Sequence, residues 1–538
     1  LRRRFTSAEM AGARLWWVAS FDFGGRTWRV GSGALSIIST ALGRDLAIPA
    51  GLSGATAEMV APWMGRAPER RTGQFTLVVP GLDVGAALAA RYELDGQPAE
   101  VAIWREGDIW EERLVVLSGQ VIDYEYGAPG DAIKITIQES IDLDRAQIPE
   151  MGASVSPATH PWAAGGTTGL AYPWILGAPG SDGTQASPVI FVRSILAGGD
   201  RDLLLVAGHP VSATSITIAD GTTNDSVHYV RKADGTSVGV TSSIPVTESL
   251  RIQHIEDGLG RLVAVVDLAD AVTIGNDVSL KYTAAWTGGS GLVSVSGESA
   301  DGAGSILEAL LAHSTLPVDR GALSTVRDRL DAWKIGAMVQ APLAPMAWAV
   351  QALLPLLPVA VLTGPSGWRV IPVLLQPTRR DCVGTLTAGP ACQRIGKAHR
   401  EGQDEIANRL ELRIAVDVVS GNTQRSAIVA ADYDGTTHPN LLTRLSFDLY
   451  RSRSWSDETV AVYDDVTAIR TVRWRSAAYA FPRTVIQYAV PQYQWLQPGD
   501  LVWLIDDKLS IERPVWVQRV LLTPGGAIVD LVAWRLNA

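Results

Sequence analysis

The stretch Leu15-Trp16-Trp17-Val18-Ala19-Ser20-Phe21-Asp22-Phe23-Gly24-Gly25-Arg26-Thr27-Trp28-Arg29-Val30 sets the class of this 538-residue chain. Apolar and aromatic residues run up to Phe23, break at Gly24-Gly25 and resume at Trp28 and Val30. Two glycines between β-favouring runs supply the backbone freedom of a tight turn, so the segment predicts an antiparallel hairpin. Further along the chain, Phe75, Leu77 and Val79 alternate, as do Ile133, Ile135 and Ile137. A period of two means one buried and one exposed face. Glu106-Gly107-Asp108 and Ala128-Pro129-Gly130-Asp131 are turn sequences between long strands, too short for parallel crossovers, so residues 1–145 read as an antiparallel β domain.

The rest of the chain divides by composition. Residues 146–190 are rich in Gly, Pro, Ser and Thr with weak periodicity, which predicts an extended loop or arm. Residues 191–300 read as a second β-rich domain: Leu203–Val206 and Leu262–Val266 are buried-strand runs, Asp234-Gly235 is a hairpin turn, and Gly288-Gly289-Ser290-Gly291 closes the region. Residues 301–380 change character. Ser305-Ile306-Leu307-Glu308 has the spacing of a capping box. Leu307, Leu310 and Leu311, then Leu323, Val326, Leu330 and Trp333, have helical spacing. A third short helix, a strand at Val359–Leu362 and a turn at 364–367 leading into Trp368–Ile371 complete an α/β module. Residues 381–538 return to β. Leu410, Leu412, Ile414 and Val416 alternate before a Ser420-Gly421-Asn422 turn, and Ile486, Tyr488 and Val490 alternate again. Asp464 to Ala478 predicts a helix with Val466, Ile469 and Val472 on one side. The expected fold class is mainly β with a smaller α/β module, in several domains.

Composition narrows the function. The chain is 47% hydrophobic and 19% charged, which places it among folded globular proteins. Eighteen Trp against seven Phe fits either several small β cores or much contact surface. A net charge of −10 argues against specific nucleic-acid binding, and Arg2-Arg3-Arg4 is too short a run to offset it. No apolar segment follows those arginines before Glu9, so no secretory signal is read there. Residues 341–362 carry no charge and have the length of a bilayer span, but Pro342, Pro345, Pro355 and Pro358 break the bonding a lipid-facing helix must keep. A buried helix–strand unit is expected, with no stable membrane span. Cys382 and Cys392 are the chain's cysteines. They make no disulfide framework and fit a reducing compartment, and whether they pair is left open.

The sequence offers no candidate catalytic, cofactor-binding or metal residue. His160, His209, His228, His254, His313, His399 and His438 stand apart, without the spacing of a zinc helix. Cys382 and Cys392 are ten residues apart, wider than structural zinc pairs, even with His399 nearby. Gly396-Lys397 lacks the rest of a phosphate loop, with Ala391 and Ala398 where Gly and Ser or Thr are needed. Asp432 and Asp434 before Gly435 lack the further ligands of a calcium loop. Asp464-Asp465 and Asp506-Asp507 have the residue types of a glycosidase acid/base pair, but each sits where Asp is favoured for capping.

The C-terminal run carries a resemblance. Leu496-x-Pro498-Gly499-Asp500-x-Val502-x-Leu504, a strand at Val515-Trp516-Val517 and a last strand turned at Gly525-Gly526 resemble the tail-tip hub proteins of long-tailed bacteriophages. Asn408-Arg409-Leu410-Glu411-Leu412 opens the same kind of region, and the segment from Ser305 to Val373 is similar as well, with Leu316-Pro317-Val318-Asp319 between its helices. The resemblance covers about residues 300–538 and, more loosely, the N-terminal β domain; residues 150–300 depart from it and read as an insertion. It implies two hub-type β-barrel domains, 1–145 and 381–538, and a non-enzymatic virion protein made in the host cytoplasm. Such a hub is a homo-oligomer, usually a trimer. It joins the tail tube or distal tail protein to the central fibre or tip protein, with the tape measure protein as a further neighbour. Two other readings stand beside it: a hexameric distal tail ring protein whose 191–300 region binds carbohydrate through surface Trp, and a cell-wall glycan hydrolase.

Overall fold

A computed structural model describes residues 14–23, 25–61, 72–78, 94–126, 132–139, 147–150, 152–163, 166–196, 199–219, 227–231, 237–241, 247–271, 282–286, 300–314, 317–364, 367–374, 377–400, 405–418, 421–430, 437–439, 441–490 and 496–533. The protein is mainly β. It forms two compact units, each built from separated stretches of sequence: Leu1–Asp142 with Val359–Glu405 and Phe481–Asn537, and Leu143–Pro358 with Ile406–Ala480.

The first unit is organised by a 14-stranded sheet. Its path begins at Arg26–Gly31, Leu15–Phe23, Pro98–Arg105 and Leu114–Tyr126. It continues through Ala132–Gln138, Thr72–Val78 and Leu52–Val60, then passes to Ile511–Thr523, Gly526–Ala533 and Thr484–Val490. The opening hairpin forms as its sequence predicts, with Phe21 opposite Trp28. Gly24, Val79 and the 128–131 turn lie outside the described residues. The first and last parts of the chain join where Ala57 pairs with Leu522 and Val60 with Arg519. Consequently Phe21, Phe75 and Ile135 share one core with Tyr488, Val502 and Val529. The Pro498-Gly499-Asp500 sequence makes a turn: Asp500 Oδ2 accepts the Gln497 N–H at 2.9 Å, and Gly499 adopts φ +85°. Both cysteines are free, Cys392 inside the core and Cys382 partly exposed.

The second unit holds an eight-stranded sheet. Its order is Trp162–Ala163, Ile190–Leu196, Gly199–Ala207, Leu262–Asp267, Thr247–Glu256, Ser215–Ala219, Thr283–Ala285 and Ser187–Pro188. Leu203 to Val206 and Val263 to Val266 are buried on both faces, which explains their unbroken apolar runs. Leu204 and Val266 enter one core, Leu203 and Val265 another. The segment 146–190 is anchored by buried Val155, Tyr172 and Ile175, and its strand Trp174–Gly177 pairs with Gly336–Val339.

The helical part follows the predicted spacing with two corrections. The helix Ala303–Ala312 starts earlier than read, with Gly302 at its N-cap. Ser305 lies inside the first turn, and the missing cap comes from the following helical hairpin: Asp331 accepts the Ser305 N–H at 2.7 Å and its hydroxyl at 2.9 Å. The helix Asp465–Tyr479 forms with Asp464 as its cap, but Val466 points outward at 59% exposure while Thr467, Thr471 and Ser476 are buried. It packs on Arg409–Val416 and Thr423–Ala430, two strands of a four-stranded sheet whose edge is Ser454–Glu458. The apolar stretch near 350 folds as short helical turns from Pro345 to Leu356, then the strand Val359–Gly364. Among the described residues no helix is long and apolar enough to cross a membrane.

Candidate assembly surface

A helix that the sequence reading missed carries the clearest surface feature. Leu441–Tyr450 lies between strands of the four-stranded sheet, and Leu441, Leu445 and Leu449 follow the i, i+4 spacing that could have revealed it. An amphipathic helix normally turns its leucines inward. Here Thr443 and Ser446 are fully buried, whereas Leu441 and Leu449 are 60% and 62% exposed. Arg444 and Asp448, both exposed, flank the leucine stripe.

The inversion has a local cause. Asn408, 1% exposed, occupies the space beneath the helix. Its side-chain N–H groups donate to the Arg451 carbonyl at 2.7 Å and the Ser446 hydroxyl at 3.3 Å, and its carbonyl accepts the Arg453 N–H at 2.8 Å. A buried amide must be satisfied, and here the main chain just past the helix supplies its two short bonds while Ser446 supplies the third. Arg451 then takes φ +61°, the left-handed conformation that ends a helix, and the chain enters the edge strand Ser454–Glu458.

Of the carboxylates weighed as acid/base pairs, Asp464 and Asp506 have structural partners, and Asp465 pairs with Arg425 at 3.0 Å. Asp464 accepts from the Val466 and Thr467 N–H groups at 3.2 and 2.9 Å and from the Thr467 hydroxyl at 2.8 Å. Asp506 caps the turn at Lys508 and accepts the Tyr488 hydroxyl at 2.6 Å. Burial opposes its charge, but these bonds hold its carboxyl below the usual range. Asp432, Asp434 and Gly435 lie outside the described residues. Burial pushes both cysteine thiols up to about 11, away from the reactive thiolate. Among the described residues no cluster of three or more His, Cys, Asp or Glu is placed to hold a metal ion.

The histidines serve the fold where their partners are visible. His209 Nε2 accepts the Ile175 N–H at 3.1 Å, so its proton sits on Nδ1 and donates to the Pro210 carbonyl at 2.8 Å. Burial lowers its pKa to about 4. His254 Nε2 accepts from Val211 N–H at 3.1 Å, and His313 packs edge-on against Trp174. His160 joins a buried polar latch. Tyr172 donates to Asp257 at 2.8 Å and lies 3.2 Å from His160 Nδ1, while Arg261 bonds the same carboxylate at 3.0 Å. Because the Tyr172 proton is committed to Asp257, His160 Nδ1 must donate to the Tyr172 oxygen, and burial lowers the pKa of the ring.

No protein-family model matches the sequence, and no curated protein matches it. Among solved structures, the chain is similar to the 43 kDa tail protein of prophage MuSo2 from Shewanella oneidensis, at 10% identity and a TM-score of 0.39, over 96% of this chain and 98% of that one. It is also similar to a tail protein from Neisseria meningitidis MC58, at 9% identity and a TM-score of 0.36, over 96% and 95% of the two chains. A third is prophage tail protein gp18 from Listeria monocytogenes EGD-e, at 9% identity and a TM-score of 0.35, over 93% and 95%. At this level of overlap the three describe themselves and not the assembly of this chain.

Proposed function

We propose that this chain is a structural protein of a long-tailed phage virion, located at the tail tip or baseplate, that acts by assembling with further copies of itself and with neighbouring tail proteins. In the finer reading it forms the hub ring, a trimer that joins the tail tube to the central tip or fibre complex, and it carries no catalytic function. The helix Leu441–Tyr450 carries the proposal: Leu441 and Leu449 face outward while Leu442, Leu445 and Phe447 are half-buried, and the two exposed leucines are burial sites for a neighbouring copy. The hub-like residues Leu496 to Leu504 and Val515 to Val517 support the same reading.

The test combines mass photometry with immunogold electron microscopy of particles from the source. The intact chain is expected as a closed oligomer that a Leu441→Asp, Leu449→Asp variant shifts to monomer, and label is expected at the tail tip alone. A monomer at all concentrations, or particles without label, would overturn the assembly role.

A further inference from the structure

We propose that residues 152–163 and 166–172 form an acid-released strap, closed over one face of the eight-stranded sheet at neutral pH and opened when His160 takes up a second ring proton. The device lies within the second unit and does not depend on the tail reading. The strap covers apolar surface. Its Val155 and Tyr172 are buried in one cluster with Val192, Leu203, Leu205 and Val265, and its Ala153 and Ala163 pack against that cluster. Those sheet residues come from three neighbouring strands, so lifting the strap uncovers a continuous aliphatic face.

The strap is fastened at one turn of that sheet. The Gly258 N–H donates to the Thr159 carbonyl at 2.9 Å, and Arg261 Nη1 donates to the Gly152 carbonyl at 3.3 Å. The Tyr172 hydroxyl donates to Asp257 at 2.8 Å. Asp257 also builds the turn, accepting the Leu259 and Arg261 N–H groups at 2.9 Å each. A second, smaller attachment is the two-residue strand Trp162–Ala163, which pairs with Arg193 and Val192.

His160 sits inside the fastening at 2% exposure. Its Nδ1–H donates to the Tyr172 oxygen at 3.2 Å, and its Nε2 is buried with no hydrogen-bond partner among the described residues. The charged groups facing the ring are Asp257 and Arg261 of the turn, and the titratable group facing it from the strap is Tyr172. Asp257 is already served by Tyr172, Arg261 and two main-chain N–H groups, while Arg261 repels a charged ring. A proton added at Nε2 therefore becomes a buried donor without an acceptor. Burial is the largest influence on the ring and outweighs the attraction of Asp257, so the closed form holds its pKa below the ordinary value. Opening returns the imidazole to water and to a pKa of about 6.5. The open form then binds more protons in acid, and falling pH favours it. With the closed ring neutral throughout, opening gains about 30-fold between about pH 7.5 and about pH 5.

Hydrogen-exchange mass spectrometry of the full chain at these two pH values, corrected for the intrinsic effect of pH, tests the strap. Peptides from 152–163 and 166–172 should lose protection by about 10- to 30-fold in acid, while the strands Gly199–Ala207 and Leu262–Asp267 keep theirs. His160→Asn keeps an N–H donor towards Tyr172 and cannot titrate, so its strap should stay protected at both values. Tyr172→Phe keeps the ring in the core and removes the hydroxyl, so its strap should be loose already at neutral pH. A change of less than about threefold in the unaltered chain would overturn the proposal. So would acid loosening of His160→Asn to the same degree, or full protection in Tyr172→Phe. Loss of protection by the two strands in step with the strap would show acid unfolding of the sheet in its place, and would overturn it too.

Discussion

Replacing Asn408 with Ala should loosen one helix and leave the rest of the second unit intact. The side chain is buried and serves three partners: the Arg451 carbonyl, the Ser446 hydroxyl and the Arg453 N–H. The 3.3 Å contact to Ser446 is the weakest of these. Two good bonds to main-chain groups contribute about 1–1.5 kcal/mol each, and removing one partner of a buried pair also costs desolvation of the other. The expected loss is about 2–4 kcal/mol. Because the three partners are local, the loss should appear as local opening and not as a shift of the whole unit. At about 1.4 kcal/mol per factor of ten, amides from Ser446 to Arg453 should exchange roughly 30- to several-hundred-fold faster. Hydrogen-exchange mass spectrometry on peptides covering 441–458 reads this directly. Asn408→Asp should fall no lower than Ala in effect, since a carboxylate cannot donate to Arg451 and brings a buried charge. If Asn408→Ala changes exchange by less than about threefold, the amide is not what holds the helix inside-out, and the explanation of its polarity is wrong.

Three further perturbations test other parts of the fold. Thr471 accepts the Trp333 indole N–H at 3.1 Å and donates to the Leu356 carbonyl at 3.1 Å, so Thr471→Val should lower urea stability by about 1–3 kcal/mol, while Val466→Ala, on the exposed side of the same helix, should change it by less than about 0.5 kcal/mol. Gly177 has φ +64°, and a Cβ there would lie 1.8 Å from the Ile335 carbonyl oxygen; Gly177→Ala should therefore fail to accumulate as soluble protein or lose protection across Trp174–Gly177, and normal protection would refute the close approach. His209 is held neutral with its pKa lowered to about 4 from 6.5, and burial pushes His160 and His313 down as well, so the unfolded state binds more protons between pH 6.5 and 4 and stability falls as pH drops through that window. The His209 contribution is at most about 3 kcal/mol, less where its outer edge meets water, and a urea midpoint unchanged from pH 7 to 5 would contradict the assignment.

Period-two patterns gave the strands because each strand records its own burial. Phe21 and Trp28, or Ile133 to Ile137, announce a face whatever lies against it. What they do not record is the partner. Ala57 pairs with Leu522, and nothing in either segment encodes that choice beyond a shared apolar face and length. Boundaries drawn along the sequence therefore cannot show that Val359–Glu405 and Phe481–Asn537 join Leu1–Asp142 in one compact unit. The helices erred in a related way. Of Val466, Ile469 and Val472, which have the spacing of a buried stripe, Val472 is buried and Ile469 half-buried, but Val466 is exposed, and the core side is shared with Thr467 and Thr471, whose hydroxyls meet the Lys334 N–H and the Leu356 carbonyl. Ser305 looked like a cap because Glu308 follows at the right distance, whereas Asp331 performs the capping and Glu308 faces Arg327 at 3.3 Å. The hydrogen-bond demands of neighbours remote in sequence decided these positions, and a local pattern cannot contain them.

The exposed leucines of the helix Leu441–Tyr450 also limit how the proposed assembly could be built. Leu441 and Leu449 are each about three-fifths exposed, so covering each contributes roughly 1–2 kcal/mol. Ten residues span only about 15 Å, too short for the ~2,000 Å² expected of a permanent interface. The gain from two leucines on each copy is also smaller than the cost of fixing two chains together. The stripe can therefore locate a contact but cannot hold it alone, and the interface has to extend along what adjoins it. The adjoining element is the strand Ser454–Glu458, an edge of its sheet, with Ser456, Asp457 and Glu458 exposed. An edge carrying acidic side chains resists indiscriminate pairing. Glu458 is already paired with Arg413 at 3.6 Å, so in the proposed assembly a partner strand would have to answer chiefly Asp457, and the leucines and this edge would form one surface ordered by Asn408.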